Sequence, residues 1–530
     1  MTNLVFNPTG SLKSSLAFNV FLKNFSELKG EEIIFINCDN YLGRACHVKE
    51  NYNYNYYSHE LSHKIICKIC TQKQERMANK IGLEPIWIRD IKEYNTQSIS
   101  KNVQKYNFVD FKYEGIDFGI YTTYDLIIKY KLQNVSEVDR YWNEYLENLS
   151  NAIRTFLEVK KILQQKKIKR LFVYNSLYST NRAAVEAANK YGVQCFTVNK
   201  GYNVCERETS YVITRADKHP LLIHSNNKWQ EEISIDKSGT VSRHIDIKMF
   251  GADSHSYSTR KKYANLDEIV NKLGMRNKFE KTCIVLLSSE DEYYATNLVG
   301  YYSASSTNLF ENQIEWLKYI KKISQEMQNV LFVIRMHPRE YPNSRSNSMS
   351  SNVDIINSIF LNGVGNVVIN TPRDYISVYD LIQAADLVLN MSSSLGAEVA
   401  YLKKIVLGFA TERLVAYPSA IHKTSSSLSE YGNDIQSYLW LDEPSKQKII
   451  VKQHQNAIKW YLHLFETLPI RLEVQTITRR RLMFGNITKV IPKNIKKILS
   501  LVIFWSDRSY STKSHIDEAN VIKLDQILSE

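Results

Sequence analysis

Three short apolar runs separated by helix-like segments constrain the fold of this chain more than any other feature. The runs are 331–334, 386–389 and 405–409. Short buried strands that alternate with helices are typical of parallel βαβ units. In such sheets, ligands bind at the carboxyl ends of the strands. The pattern therefore predicts that functional residues stand just after these runs.

Polar residues do follow the first two runs. His337-Pro338 comes after the first, and the segment NMSSSLG (390–396) comes after the second. A helix pattern starts near Gly396, and helix N-termini attract anions. We expect a phosphate-bearing ligand to bind between His337 and Ser392–Gly396.

Length and charge narrow the class of protein. A chain of 530 residues predicts two domains plus an appendage. The net charge of +13 favours an anionic partner, although solvated lysines alone produce the same balance. No RNP, zinc-finger or helix-turn-helix signature is present, so we expect no nucleic-acid partner. The start of the chain lacks a signal-peptide pattern, and no apolar stretch reaches the roughly 18 residues of a membrane span.

The chain order predicts where the domains lie. The first domain, 1–250, is expected to begin with a helix over 1–30 and a first strand at 32–38. A βαβ unit follows over 169–198. The second domain, 275–425, begins with a strand at 282–287, and residues 426–530 form a helical crossover and tail. The polar stretch 253–263 is the predicted linker.

The βαβ unit of the first domain offers two candidates for binding an acceptor. Asn175 follows a strand and Arg182 lies in the first turn of an alanine-rich helix. The alternative is that Asn175 caps the helix and Arg182 pairs locally.

Four cysteines lie close together in sequence: Cys38, Cys46, Cys67 and Cys70. Four thiols are able to form a tetrahedral zinc site, but their spacing is irregular. The alternatives are buried or free thiols and redox chemistry. The seven cysteines do not resemble a small secreted scaffold, so we expect a reducing cytoplasm.

The tail segment 489–505, KVIPKNIKKILSLVIFW, places basic residues beside large apolar ones. That composition is typical of a helix lying in a membrane interface. It predicts a peripheral contact with an anionic membrane, on the inner face of the cell membrane. The alternative is a helix packed on the first domain.

Several segments resemble a group of bacterial capsule and lipopolysaccharide biosynthesis proteins with GT-B architecture. In the second domain these are LLSSEDEYY, ENQIEWL, VIRMHPRE and SVYDLIQAADLVLNMSSSLGAEVAYLKK; in the first they are INCDNYLGRAC, the CxxC and VYNSLYSTNRAAVEAANKYGV. The pairing of HP with a later serine cluster is also similar to Kdo transferases, sialyltransferases and teichoic-acid glycerophosphotransferases. The resemblance implies an α/β GT-B fold, in which two Rossmann-like βαβ domains face a cleft.

The same resemblance implies a function. It suggests a metal-independent glycosyltransferase that moves a sugar from a CMP- or UDP-linked donor to capsule or lipopolysaccharide, with no cofactor required. His337 and Ser392 to Ser394 would contact the donor phosphate, and Glu398 a ribose. Arg335, Gly396 and the helix amides would add donors for the leaving phosphate.

An inverting transfer also needs a general base near the acceptor hydroxyl. The candidates are Asp39, at the end of the predicted first strand, and Glu290, Asp291 or Glu292 across the cleft, where Ser288 and Ser289 also point. Three other functions remain open at this point: a CDP-polyol phosphotransferase, a catalytically silent glycan- or nucleotide-binding module, and a nucleic-acid binder.

Overall fold

The structure is a computed structural model of the whole chain. It describes residues 2–8, 13–51, 56–80, 82–89, 96–207, 209–217, 227–230, 238–250, 268–269, 271, 279–300, 308–343, 348–361, 365–409, 417–471, 473–474, 514–515 and 518–529.

The first domain is built on a mostly parallel sheet. Its strands are β1 (Thr2–Phe6), β2 (Glu32–Asp39), β3 (Ile86–Arg89), β4 (Ile168–Val173), β5 (Gln194–Lys200) and β6 (Ser210–Arg215), joined by a later strand, β13 (Ile470–Arg471). The order across the sheet is β13-β6-β5-β4-β1-β2-β3. Strands β1 to β5 run parallel, and β6 and β13 are antiparallel to their neighbours.

The start of the chain differs from the prediction. Residues 1–30 were expected to be helical, but β1 occupies Thr2–Phe6 and all five of its residues are buried. It lies at the centre of the sheet, between β4 and β2, so β2 is not the first strand. The pattern missed β1 because a strand buried on both faces shows no alternation.

Helices cover both faces of this sheet. They are α1 (Lys13–Leu28), α2 (His47–Asn51), α3 (Glu60–Lys80), α4 (Thr96–Lys101), α5 (Phe118–Tyr130), α6 (Trp142–Gln165) and α7 (Ser179–Lys190). The long helix α6 buries Tyr145, Leu149 and Phe156 in the main core of the domain. Its residues also form one wall of the surface beyond the end of β2.

The second domain contains a fully parallel sheet. Its strands are β7 (Lys281–Leu286), β8 (Val330–Arg335), β9 (Val367–Asn370), β10 (Leu387–Asn390), β11 (Val406–Phe409) and β12 (Lys423–Ser425). The order is β12-β11-β10-β7-β8-β9, with every pairing parallel. The three apolar runs that organise the sequence are β8, β10 and β11, so the prediction of parallel βαβ units is confirmed.

The helices of the second half begin with α8 (Ser238–Phe250). They continue with α9 (Glu290–Leu298), α10 (Gln313–Glu326), α11 (Asn352–Phe360), α12 (Val378–Ala384), α13 (Leu395–Tyr401), α14 (Leu428–Leu439), α15 (Glu443–Leu462) and α16 (Glu518–Ser529). Val241 and Ile245 of α8 share a core with the second sheet. Helix α8 thus packs on the second domain, while its His244 Nδ1 accepts the backbone N–H of Val204, so the predicted domain bounds stay a prediction.

The end of the chain crosses back to the first domain. Helix α15 packs on the second domain through Ala457 and Trp460. Strand β13 then pairs with β6, and Leu524 and Leu528 of α16 are buried in a core of the first domain. Two Rossmann-like domains joined by such a crossover form a GT-B fold.

Buried polar contacts join the two domains beside α5. Arg339 of the second domain donates to the carbonyl oxygen of Ile128. Lys131 donates to the carbonyl oxygen of Tyr341 at 2.9 Å. The carboxyl edges of both sheets therefore face one another across a surface that α5 and α9 share.

Candidate functional site

The serine cluster lies at the carboxyl edge of the second sheet, as the sequence predicts. Ser392 Oγ donates to Ser288 Oγ at 2.9 Å, which links the ends of β10 and β7. Because β7 lies between β10 and β8, Ser288 stands between Ser392 and His337. Neighbouring strands are about 4.8 Å apart, so these three side chains share one short stretch of the edge.

His337 begins a short 3-10 turn. Its Nδ1 accepts the backbone N–H of Arg339 at 3.3 Å, so the ring proton resides on Nε2. Burial lowers the pKa of His337 to about 4, and the positive charges of Arg339 and Arg335 add to this effect. His337 is therefore a neutral imidazole that can donate a hydrogen bond from Nε2.

Gly396 is required by packing. A Cβ built on Gly396 would stand 1.8 Å from the hydroxyl of Tyr417. This hydroxyl accepts from Asn390 Nδ2 at 2.6 Å, and Asn390 also bonds the backbone of Ser393. A buried network thus holds the serine loop from behind, and the predicted contact of Gly396 with a phosphate stays a prediction.

Glu398 is not the exposed carboxylate that a ribose contact suggests. It is only 1% exposed, and its two oxygens bind Lys248 Nζ and, at 2.6 Å, the hydroxyl of Tyr379. Burial raises the pKa of this carboxyl, but Lys248 and Tyr379 outweigh burial and hold the pKa below its ordinary value. Glu398 therefore fixes Lys248 of α8, and a ribose contact would compete with these bonds.

Arg335 also differs from its predicted role. Its side chain is buried, and Nη1 donates to Asn370 Oδ1 and to the carbonyl oxygen of Thr371. Burial lowers the pKa of Arg335 to about 10. These bonds tie the end of β8 to the end of β9, and a contact of Arg335 with the donor stays a prediction.

The acidic segment after β7 forms the first turn of α9. Asp291 is fully buried and accepts a hydrogen bond from Arg339 Nη2 at 2.7 Å. Ser289 is buried and donates to Asp291 at 3.0 Å, and Glu290 is buried as well. The side chain of Glu292 is 55% exposed and lies 3.5 Å from Arg339. Among these acids, Glu292 has the exposure that a base for the acceptor requires.

The first domain separates its three predicted site residues. Asp39 ends β2, beside Arg89 of β3, and is half-buried. Asn175 Oδ1 accepts the backbone N–H of Leu177 at 2.6 Å and lines a cavity between the domains. Arg182 pairs with Glu186 of its own helix at 2.7 Å, as the local alternative expects, and acceptor binding by Arg182 stays a prediction.

A histidine that the sequence analysis does not single out lies near a buried carboxylate. His47 begins α2, and its Nε2 is 3.9 Å from Asp125 Oδ1 of α5. The ring packs on Tyr178, 4.4 Å between centroids. Burial raises the pKa of Tyr124, the residue before Asp125, and the nearby Tyr178 and Glu292 add to this effect. Since Glu292 belongs to α9, His47, Asp125 and Tyr178 lie on the side of the first domain that faces the second. No sequence spacing connects these residues, since they come from three separate elements.

A cavity of about 470 Å³ lies between the domains. The first domain contributes the ends of β4 and β5, including Asn175 and Lys200, and the second contributes Ser394 and Glu398. The lining also includes aromatic and basic residues: Tyr174, Tyr202, Arg207, Lys248, Trp460, Tyr461 and Phe465. The volume lies within the usual range of small-molecule sites.

The four clustered cysteines line one small cavity of about 20 Å³. Burial raises the pKa of Cys46 to about 12 and holds the pKa of Cys38 well above its ordinary value, so both are neutral thiols. Within the described part of the chain, no three His, Cys, Asp or Glu side chains are placed to hold a metal ion. The zinc alternative therefore stays a prediction, supported only by the convergence of the four residues.

The predicted interfacial segment, 489–505, lies outside the described residues. Among the helices that are described, none is long and apolar enough to cross a membrane.

Comparisons with known proteins give distant structural neighbours only. No protein-family profile matches the chain, and no curated protein matches its sequence. The solved structures similar to it include UDP-GlcNAc 2-epimerase from Neisseria meningitidis bound to UDP-GlcNAc, at 12% identity, covering 88% of this chain and 99% of that one, with a TM-score of 0.29. A co-structure of Staphylococcus aureus MnaA with UDP matches at 11% identity, 87% and 97% coverage, and a TM-score of 0.31. The spinosyn rhamnosyltransferase SpnG matches at 10% identity, 86% and 96% coverage, and a TM-score of 0.24.

Proposed function

We propose that this chain is a glycosyltransferase that moves a sugar from a nucleotide-sugar donor to a glycan acceptor of a bacterial surface polysaccharide. The observation that carries the proposal is the cavity between the domains, where the carboxyl edges of the two sheets meet. Rossmann-like sheets bind nucleotides at such edges. The resemblance to capsule and lipopolysaccharide biosynthesis proteins supplies the acceptor class.

The charges of this cavity favour an anionic donor. Lys200, Arg207 and Lys248 line the cavity, and Glu398 is the carboxylate in its lining. The pairing of Lys248 with Glu398 leaves a surplus of positive charge from Lys200 and Arg207. A nucleotide diphosphate supplies matching negative charge. Tyr174, Tyr202 and Trp460 offer aromatic faces for a base or a sugar.

The leaving phosphate would be stabilised at the adjacent edge of the second sheet. His337 offers a neutral N–H donor, and the hydroxyls of Ser288 and Ser392 are held against one another. Fixed donors of this kind stabilise charge that develops in the transition state. A neutral imidazole keeps this role at any pH well above its lowered pKa of about 4.

The acceptor hydroxyl would lose its proton to His47. Asp125 Oδ1 lies 3.9 Å from its Nε2, close enough for its charge to stabilise a protonated ring, while Tyr178 packs against the imidazole. A histidine base oriented by a carboxylate is a common arrangement for activating a hydroxyl. Asp39, Glu290 and Glu292 remain the alternative bases predicted from the sequence.

Nucleotide binding tests the donor half directly. We expect thermal shift with CMP, CDP, UDP, GDP and dTDP to raise the melting temperature with at least one nucleotide. Arg207→Met should weaken that nucleotide about tenfold, since a bond to a charged group is lost. Arg140→Met, which removes an exposed arginine 69% accessible on its side chain, is the matched control.

Product analysis then separates the related chemistries. Transfer of a sugar to a polysaccharide acceptor supports the proposal, whereas transfer of a polyol phosphate from a CDP donor replaces it with the phosphotransferase function. A protein that binds nucleotide but turns over no nucleotide sugar is a binding module. If no nucleotide raises the melting temperature, the donor site proposed here is wrong.

The proposal includes a cytoplasmic location with a peripheral contact to the membrane through 489–505. Deleting the whole tail would also remove Leu524 and Leu528 from a first-domain core, so it is a poor test. Replacing Lys493, Lys496 and Lys497 by Glu is cleaner. We expect this variant to bind anionic liposomes less tightly than the wild type does. Equal binding of the two proteins would exclude the membrane contact.

A further inference from the structure

A second large cavity, of about 480 Å³, lies in the first domain beyond the end of β2. It is enclosed by the loop that leads to α2, by α3 and α4, and by the first half of α6. The polar and charged part of its lining, together with one glycine, includes Asn40, Gly43, Arg44, Lys49, Glu60, Lys64, Lys101, Glu147, Asn151 and Arg154. None of these residues lines the cavity between the domains.

The loop on one side of this cavity is held firmly against α6. Glu147 accepts the backbone N–H of Arg44 at 2.5 Å, and Asn151 Nδ2 donates to the carbonyl oxygen of Leu42 at 3.1 Å. Gly43 has a φ of 54°, and a Cβ there would stand 2.3 Å from Glu147 Oε1. Gly43 thus allows the loop to close around the carboxylate, and the wall it forms is preorganised.

The lining of the cavity is strongly basic. Its cations are Arg44, Lys49, Lys64, Lys101 and Arg154, and its carboxylates are Glu60 and Glu147. Lys64 pairs with Glu60 at 2.8 Å, and Glu147 is bound by backbone N–H groups. Five positive groups against two negative ones leave a surplus of three positive charges.

Two of these cations lie deep in the protein. Lys49 is 2% exposed and donates to the carbonyl oxygen of Gly43. Arg154 is 5% exposed and donates to Thr96 Oγ1 at 3.4 Å. Burying cations beside one another is costly, and an anion in the cavity offsets that cost. The floor of the cavity is therefore suited to a negatively charged group.

The cavity adjoins the proposed catalytic base. His47 follows Arg44 in the loop that forms the wall, and Lys49 lies in the same helix as His47. We propose that this cavity binds an anionic group of the acceptor, a phosphate or a carboxylate, and so places a hydroxyl of the acceptor near His47. The assignment of the anion to the acceptor rests on the proposed function, whereas the anion site itself does not.

The source of the negative charge separates into two classes. One is the phosphate of a lipid-linked carrier, and the other is the carboxylate of an acidic glycan. Pyrophosphate probes the first class, hexagalacturonate probes the second, and maltohexaose is a neutral sugar of the same length. Calorimetric titration of the full chain with each probe measures Kd directly.

The discriminating variant is the double substitution Arg44→Met and Lys101→Met, which removes two cations of the cavity. We expect it to weaken at least one anionic probe about tenfold or more, because each lost bond to a charged group changes Kd by about that factor. Lys68→Met with Lys161→Met is the matched control, since both side chains are exposed and neither lines the cavity. This control should bind like the wild type.

Each outcome has a defined meaning. A loss for hexagalacturonate alone identifies an acidic glycan, and a loss for pyrophosphate alone identifies a phosphate-bearing carrier. Unchanged affinity for both anions, or an equal loss for maltohexaose, overturns the inference. Arg207→Met separates the two proposals: nucleotide affinity that Arg207→Met leaves unchanged, while the anionic probes still respond to the Arg44 and Lys101 pair, refutes the donor site alone.

Discussion

The carboxyl edges of the two sheets are built in different ways. On the second sheet, Ser288, His337 and Ser392 each follow directly after a strand, and neighbouring strands bring them together. On the first sheet, the three residues come from separate helical segments: His47 begins α2, Asp125 lies within α5, and Tyr178 precedes α7. The residues of the second edge can therefore be recognised in the sequence from local motifs, whereas those of the first are brought together only by tertiary packing.

This difference teaches where each kind of chemistry resides. The second edge holds the half-buried hydrogen-bond donors Ser288, His337 and Ser392 on neighbouring strand ends, an arrangement that suits the phosphate contact proposed above. The first edge holds the proposed base and a basic cavity, and the loop between β2 and α2 lines the cavity and leads directly to the base. Loops on a rigid sheet are where binding surfaces vary.

The largest effect expected is at the first edge. His47→Ala should lower kcat by about a thousandfold, the middle of the range for loss of a general base, while nucleotide affinity stays the same. His59→Ala, which removes an exposed histidine, is the control. If His47→Ala retains full turnover, the base must be sought at Asp39, Glu290 or Glu292, and the contrast between the edges fails.

The next effect concerns the contact that holds the two edges together. Arg339→Met leaves Asp291 buried without its cation, which should lower the free energy of unfolding by about 3–5 kcal/mol. Urea denaturation measures this loss. Adding Asp291→Asn to the first substitution should recover much of it, since the buried charge is then gone. An effect as small as that of the exposed Arg140→Met would contradict the assignment.

At the second edge, His337→Ala should lower kcat by about a hundredfold, as expected for one lost hydrogen-bond donor to developing charge. His337→Asn is the matched variant, because an amide can both cap the turn and donate. It should retain more activity than alanine. Equal loss in both variants would show that the imidazole ring, and not its donor, is needed.

The lowered pKa of His337 also predicts how stability depends on pH. The folded pKa of about 4 lies below the ordinary value of 6.5. Between these values the unfolded chain binds the proton and the folded chain does not, so the free energy of unfolding falls as pH drops from 6.5 towards 4. His337→Asn should flatten that slope; an unchanged slope would show that His337 titrates alike in both states.

The smallest effect separates packing from binding in the serine loop. Gly396→Ala places a Cβ 1.8 Å from the Tyr417 hydroxyl and should cost about 1–3 kcal/mol of unfolding free energy. Tyr417→Phe in the same chain removes the clashing oxygen and should restore part of the loss. A variant with normal stability but weaker nucleotide binding would support the phosphate contact predicted from the sequence.

The sequence predicted most of the second domain because its signals are local. A strand such as β8 is a continuous apolar run, and the polar residues that follow it are necessarily at the edge of the sheet. The central strand β1 was missed since five buried residues at the start of a chain show no period. The packing of helix α8 on the second core could not be predicted, because a helix pattern does not reveal its packing partner.

Individual side chains were harder to predict than elements. Arg335 and Glu398 occupy the expected positions in sequence, yet Asn370 and Thr371 bind the first, and Lys248 and Tyr379 bind the second. Arg182 likewise pairs with Glu186 in its own helix. Charge at a strand end predicts a functional position, but the partners that satisfy the charge lie far away in the chain.

The sequence by itself determined the parallel βαβ units of the second sheet and the place of His337 and the serine cluster at its edge, since hydrophobic pattern sets which segments become buried strands. Only the tertiary structure decided that His47 meets Asp125 and that basic residues from four segments enclose one cavity. The physical reason is the distance along the chain between the residues that interact. Burial is encoded residue by residue, whereas the meeting of two polar side chains depends on how every intervening loop and helix packs.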